Sequence, residues 1–359
     1  MIAANAFGGG SVVLMPLDNV SGEQSATAGL PPLIVKAMEA KGWTVTGGDI
    51  EALLENERVR YLDSLDANVR HDILEKTGAD AILTVTVYTY AVGRNPTVGL
   101  SAHLIDADGK IAWSDVAAVA SSDTERAFGL GRKETIEEVA AEAVRKLMES
   151  LTRRRAGWRT RSTSPHYVSD DLDKSRPICV LPFDNNSNVP DAPRVLADVL
   201  ALRLEAAGFS VVDPAVLRAA ALKARISLRS VSSPDLATLA KSVGTPLFLR
   251  GTVYAYDDPT THNSAIPPAL DVEATLVDVS TAKVLWAAQQ NRKGTDYIGF
   301  LMLGAVSNSV SLTDRVATEM IATARTNHAN KNASGDRAAV ASLGRKGRQQ
   351  QLHTGQSQR

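Results

Sequence analysis

A single cysteine, Cys179, stands in 359 residues. One thiol excludes an internal disulfide framework and every cysteine-based zinc spacing. Cys179 lies in the apolar run Ile178-Cys179-Val180, where a thiol reads as a small core side chain rather than a nucleophile. Histidine is equally thin. His71, His103, His166, His262, His328 and His353 are scattered, with no H-x-x-x-H or H-E-x-x-H spacing, so a zinc hydrolase is not expected. Aromatic residues make up 5%, and none interleave with the basic runs, which leaves no stacking platform for nucleic acid. Charge of one sign is missing too: the net charge is −1, so no nucleic-acid partner is expected. No stretch reaches the ~18 consecutive apolar residues of a membrane-spanning helix. A Gly-x-Ser-x-Gly nucleophile elbow is absent. Gly8-Gly9-Gly10 and Gly129-Leu130-Gly131-Arg132-Lys133 both lack the spacing of a phosphate-binding loop. No catalytic residue, metal or cofactor is therefore assigned, and the chain is expected not to be an enzyme.

What the chain does have is an internal repeat. Val12-Val13-Leu14-Met15-Pro16-Leu17-Asp18-Asn19-Val20-Ser21 recurs as Ile178-Cys179-Val180-Leu181-Pro182-Phe183-Asp184-Asn185-Asn186-Ser187, 166 positions later. Gly42-Trp43-Thr44-Val45 recurs at the same offset as Gly208-Phe209-Ser210-Val211, and Val87-Tyr88 as Val253-Tyr254. Further on, Leu104-Ile105-Asp106 answers to Leu276-Val277-Asp278 at 172, and Trp113 to Trp286 at 173. The second copy thus carries about seven extra residues around one hairpin, where insertions are best tolerated. Two tandem domains explain this pattern, each long enough to bury its own core.

The boundaries follow from composition. Residues 1–10 read as a disordered N-terminus rich in small residues. Ala4-Asn5-Ala6 has the small-x-small form of a signal cleavage site, so an export signal lying upstream is one reading of the start. The first domain is 11–152, an exposed linker rich in charge and Ser/Thr spans 153–176, the second domain is 177–327, and 328–359 reads as a disordered basic tail.

Within each domain a buried strand leads through Pro and an Asp-Asn turn to a helix, near Ala28–Lys41 and Ala192–Ala207. Gly42 and Gly208 end those helices. Short strands at Trp43 and Phe209 follow, then two helical stretches, beginning in the first copy at Ile50 and Val69, and in the second at Pro214 and Asp235. Three longer strands come next, the last two joined in the first copy by Asp106-Ala107-Asp108-Gly109, an Asp-Gly hairpin signal. A final amphipathic helix closes each copy, near Thr135–Leu151 and Ser309–Thr326. The fold class expected is α/β (α+β): two mixed five-stranded sheets with helices, parallel where crossovers are long and antiparallel in the last meander.

This order, with Leu181-Pro182-Phe183-Asp184-Asn185, Gly208-Phe209-Ser210-Val211-Val212-Asp213, Gly251-Thr252-Val253-Tyr254 and the Asp278…Trp286 hairpin, resembles the TolB N-terminal domain and the curli-secretion CsgG family. The resemblance covers nearly all of 177–326 and, more loosely, 11–151. It implies a bacterial envelope protein, periplasmic or outer-membrane associated, working as a scaffold or assembly factor. Its partners would be other envelope proteins or further copies of itself, with peripheral contact to the outer membrane. Lipoprotein members of that group carry an N-terminal cysteine, which this chain lacks. A cytoplasmic binding module is the alternative on localisation.

Two places invite a functional reading. Asp18-Asn19 and Asp184-Asn185 follow the first strand of each copy, where open α/β sheets bind ligands. The competing reading is structural, because Asp and Asn side chains bond their own backbone in turns, and recurrence in both copies favours it. A small-ligand site at these turns is the alternative function. The glycine-punctuated run Ile298, Phe300, Leu301, Met302, Leu303 and Val306 is the candidate interface. A loop packed on its own sheet is the alternative there.

Overall fold

Both copies of the repeat build a mixed sheet on one plan. In the computed structural model, which describes residues 9–46, 50, 52, 54, 67–124, 131–152, 165–259, 266–298 and 304–324, the first domain runs β1 (Ser11–Leu14), β2 (Asp18–Asn19), α1 (Ser25–Glu39), β3 (Thr44–Thr46), α2 (Ala67–Thr77), β4 (Ala81–Ala91), β5 (Thr97–Asp106), β6 (Ile111–Ala120) and α3 (Ile136–Glu149). The second runs β7 (His166–Val168), β8 (Ile178–Val180), β9 (Asp184–Asn185), α4 (Ala192–Ala206), α5 (Pro214–Ala224), α6 (Ser233–Val243), β10 (Leu247–Asp257), β11 (Ala269–Asp278), β12 (Lys283–Lys293) and α7 (Ser309–Thr323).

Strand β1 is apolar on both faces and lies parallel between β3 and β4, while β4, β5 and β6 form an antiparallel meander. The order is β3-β1-β4-β5-β6, with β2 alongside β4. The second sheet is β7-β12-β11-β10-β8, with β9 alongside β10. Each sheet has six strands, one more than expected: the first gains its two-residue Asp-Asn segment, and the second gains both its Asp-Asn segment and β7 while losing the strand expected at Phe209. The second copy's Phe209 strand shrinks to a single bridge, Val211 to Ile178. The segment 153–176 contains β7, which pairs with the outer edge of β12. The helix expected from Ile50 falls largely outside the described residues.

Helix boundaries follow capping chemistry. Thr135 and Glu138 make a capping box at the start of α3, as Ser232 and Asp235 do at α6. Asp213 caps Ala215 N–H at 2.9 Å and Asn308 caps Ser311 N–H at 2.8 Å. Helix α1 is the exception. It starts three residues earlier than its pattern predicts, has no side-chain cap, and contains Pro31 and Pro32. Each proline forfeits a backbone bond at a cost of about 3 kcal/mol. Burial of Leu30, Ile34 and Met38 against the sheet offsets it.

The domains are stacked, and this the sequence did not reveal. One face of the first sheet carries α1 and α3, whose Leu30, Ile34, Met38, Val144 and Leu147 meet Leu83, Leu100 and Leu104. The other face is covered near β1 by a small cluster of Val13, Ile73 and Ile82. Over β4, β5 and β6 it is covered by helices α4 and α7 of the second domain: Tyr88 and Val116 belong to the second domain's core. The layers are therefore α1/α3, first sheet, α4/α7, second sheet. Behind the second sheet, α5 and α6 bury Cys179, Leu181 and Phe248. Farther across, that face is open at Arg250, Tyr254 and Glu273.

Candidate functional site

The Asp-Asn turns are built identically. Asn19 Nδ2 donates to Glu23 O at 2.8 Å, and its Oδ1 accepts from Ser21 N–H at 3.1 Å. Asn185 Nδ2 donates to Val189 O at 2.9 Å, and its Oδ1 accepts from Ser187 N–H at 2.9 Å. Both asparagines also take the hydroxyl of the same serine. These are Asx turns that aim the chain into the following helix. The aspartates differ. Asp18 pairs with Arg194 of the second domain. Asp184 is exposed and lines a cleft of about 610 Å³ with Phe183, Pro190, Arg194, Asp198 and Arg218. That cleft lies beyond the carboxyl end of β8, so the turn and cleft readings of Asp184 coexist.

Of the expected interface run, Phe300, Leu301, Met302 and Leu303 lie outside the described residues. Ile298 is half-buried. Val306 is 6% exposed and belongs to the second domain's core, its N–H donating to Gly294 O at 3.0 Å. It is core rather than free surface, because α7 begins beside it and draws the chain inward.

The largest assembly of polar chemistry is one the residue pattern left unmarked: the seam between the domains. Arg203 of α4 is 8% exposed and pairs with Asp115 at 3.3 Å and with Asp314. Asp115 Oδ1 also accepts Val116 N–H at 2.8 Å. Tyr88 hydroxyl donates to Asp198 at 3.1 Å and lies 2.8 Å from Ser101 Oγ. Ser114 donates to Glu205 at 2.5 Å. Arg70 and Asp213 pair at 3.6 Å. At the far end Asn308 donates to Asp123 at 3.1 Å.

Burial dominates the electrostatics here. It lifts the Glu205 carboxyl to about 8, with the Ser114 hydrogen bond working against it, so Glu205 is neutral at pH 7. Burial likewise lowers the His103 imidazolium. Asp213 and Asp198 oppose that shift and Arg218 adds to it. Burial and the Asp198 charge hold the Tyr88 phenol well above its usual range. The seam therefore hides its ionisable groups either paired or uncharged, which is how a permanent contact is made between polar surfaces.

Backbone contact is just as close. A β-carbon on Gly99 would fall 2.9 Å from Val310 Cγ2, so α7 settles on β5 only because residue 99 has no side chain. One signal of the seam was available in the sequence. Helix α4 is apolar nearly all round, and 12 of its 15 residues are buried; a helix of that kind needs cover on every side. Arg203 and Asp115, 88 positions apart, could not be paired by pattern alone.

The other sequence candidates are dispersed. His71 is exposed beside Glu75, and His166 is exposed on β7. Arg132, from the glycine-rich stretch, donates to Ser121 and to the Arg94 carbonyl. Cys179 is buried, which raises its thiol to about 12. Among the described residues, no group of three or more His, Cys, Asp or Glu is placed to hold a metal ion.

No family model and no curated protein matches the chain. Among solved structures it is similar in part to a PelC dodecamer from Paraburkholderia phytofirmans, at 22% identity over 45% of this chain and 93% of that one, with a TM-score of 0.31. It is similar to the lipoprotein GNA1162 from Neisseria meningitidis, at 21% over 39% and 99%, with a TM-score of 0.29. It is also similar to the LpoB C-terminal domain from Escherichia coli, at 17% over 34% and 87%, with a TM-score of 0.27. Each match spans less than half of this chain, and at these scores none carries an argument about fold or function.

Proposed function

We propose that this chain is a non-enzymatic scaffold or assembly factor of the bacterial cell envelope, acting in the periplasm or at the outer membrane through protein–protein contacts. The observation that carries the reading is the seam. The most deeply buried charged residues are engaged in holding two domains together: Arg203 with Asp115 and Asp314, and Asp198 with Tyr88. A molecule built this way offers fixed surfaces rather than a reacting site. The resemblance of its residue pattern to TolB N-terminal and CsgG domains supports the envelope setting. Among the described residues no helix is long and apolar enough to cross a membrane, which fits contact by surfaces.

The test is fractionation of cells carrying the native protein, with the size of the recovered species measured. Recovery with the envelope in a defined complex is the expected outcome; recovery as a soluble cytoplasmic monomer would refute it.

A second reading rests on the 610 Å³ cleft beside Asp184. A small ligand seated there would raise the melting temperature, since binding to the native state alone stabilises it. That rise should vanish in Asp184→Ala if the turn's carboxylate takes part. A metabolite screen with no shift removes this alternative.

A further inference from the structure

The seam is a contact between two repeat-related faces, and each face has a second copy elsewhere on the molecule. Helix α4 corresponds to α1 and α7 to α3, while the sheet face that receives them, on β4–β6, corresponds to the open face of β10–β12. We infer that a second copy of this chain occupies these faces head to tail: α1 and α3 of one molecule dock on the β10–β12 face of the next. The inference rests on the scaffold reading and names its partner.

The first argument is the outward side of α1. Its charged residues are Lys36 and Glu39 and its exposed polar ones, Ser25 and Thr27, sit in the first turn; the rest of that side is Ala28, Gly29, Pro32 and Ala40, flanked by half-buried Leu33 and Val35. An exposed helix ordinarily turns a polar face to water. The repeat-mate α4, apolar in the same way, is buried on all sides. Between α1 and α3 lies a groove of about 420 Å³, floored by Val144 and Met148 and walled by Ala37 and Ala141. Those two alanines stand where α4 and α7 carry Arg203 and Asp314. The groove is thus the seam's helix face opened along its centre, with Lys36, Lys41, Arg145 and Glu149 at its rim where the seam's helices carry Leu202, Ala207, Thr318 and Ala322.

The second argument is that the open sheet projects where the buried sheet is recessed. Asp271 stands at the place of Gly99, Glu273 at that of Ser101 and Asn291 at that of Ala118, judged from strand register. The flat seat that admits Val310 is gone, so a helix pair as bulky as α4 and α7 would not nest there. A hollowed pair such as α1 and α3 fits a raised surface instead. Tyr254, the mate of Tyr88, is 43% exposed, and its hydroxyl is already taken by Glu273 at 3.2 Å. It offers its ring, and Pro32 stands where Asp198 met the Tyr88 hydroxyl.

Charge agrees as well. The groove carries Lys36, Lys41 and Arg145 against a single acid, Glu149, while the sheet carries Asp271 and Glu273, with Oδ1 of Asp271 buried and without a hydrogen-bond partner among the described residues. The cations on that sheet face lie to either side, Arg250 nearer β8 and Lys293 at the end of β12. A contact of this heterologous kind repeats from molecule to molecule, closing into a ring or extending as a filament.

The experiment is light scattering on the purified full chain across a wide concentration range at low salt. The wild-type mass is expected to rise above 38.2 kDa in steps as concentration increases. Ala40→Glu, on the helix face, and Tyr254→Ser, on the sheet face, should each give monomers. Both positions are exposed, and unchanged unfolding curves confirm folding. Lys36→Glu and Glu273→Lys replace either variant that melts early. The deciding sample is the mixture. Copies lacking only the helix face and copies lacking only the sheet face retain one working contact between them, so the mixture should form dimers and nothing larger. A wild-type chain that stays monomeric throughout overturns the inference, as does a dimer broken by Ala40→Glu but indifferent to Tyr254→Ser. Either result leaves the envelope reading standing, because fractionation tests that separately.

Discussion

Replacing Arg203 with alanine puts the seam under direct strain. The guanidinium is 8% exposed and shared by Asp115 at 3.3 Å and Asp314. Asp115 is 2% exposed. Without Arg203 its carboxylate loses its cation in a place water does not reach, and breaking a buried pair from one side costs about 3–5 kcal/mol. Domains of this size have a total stability of about 5–15 kcal/mol, so the loss is a large fraction of it. The double variant Arg203→Ala with Asp115→Ala should recover part of the loss, because the fully buried carboxylate leaves with its cation and only Asp314, 23% exposed, is left without it. The repeat provides a precedent, since Ala37 and Ala288 occupy the corresponding places in the other copies of these elements. Urea unfolding of the two single variants and the double variant measures the coupling as a double-mutant cycle. An Arg203→Ala loss below about 1 kcal/mol, or a double variant no better than the single, would refute the claim that this contact is buried and permanent.

Three further expectations follow from the same contacts. Glu205 is neutral in the folded chain up to about 8 and ionises near its ordinary value when unfolded, so its contribution is full below about 4.5 and is lost as pH rises through about 8; Glu205→Gln should flatten the stability curve over that window, and an unchanged curve would contradict the burial argument. Asn185→Ala should cost about 1 kcal/mol by thermal unfolding, since it removes bonds to Val189 O and Ser187 N–H, whereas Asp184→Ala should be near neutral in stability; the reverse ranking would show that the aspartate makes the turn. Cys179 should resist thiol reagents until the protein is unfolded, being buried with its thiol raised to about 12; rapid labelling of native protein would place it elsewhere.

Most of each domain was legible in the residues. Repeat spacing located both sheets, the Asp-Gly pair located a hairpin, and glycines at 42 and 208, with φ of +83° and +85°, ended the helices where left-handed backbone is needed. Local chemistry sufficed because each feature is decided within a few residues. What lay between the domains was not legible. Gly99 matters only through Val310, 211 positions away, which rests on it. Val306 looked like a surface residue because an apolar loop gives no sign of which way it turns. The short strand β7 hid in a charged linker, since three residues are too few to show alternation. For Gly99 and β7 the deciding partner is distant in sequence, and single-chain patterning carries no pairing information over such spans.

Hydrogen exchange on the full native chain, resolved along α4 and α1, tests most directly whether the two repeats form one body. The layered arrangement predicts that, at concentrations where the chain is monomeric, amides across Ala192–Ala206 are protected to the level of global unfolding and open together with those of β6, while the outward side of α1 exchanges earlier. Amides of α4 that exchange as early as those of α1, or that open independently of β6, would contradict it.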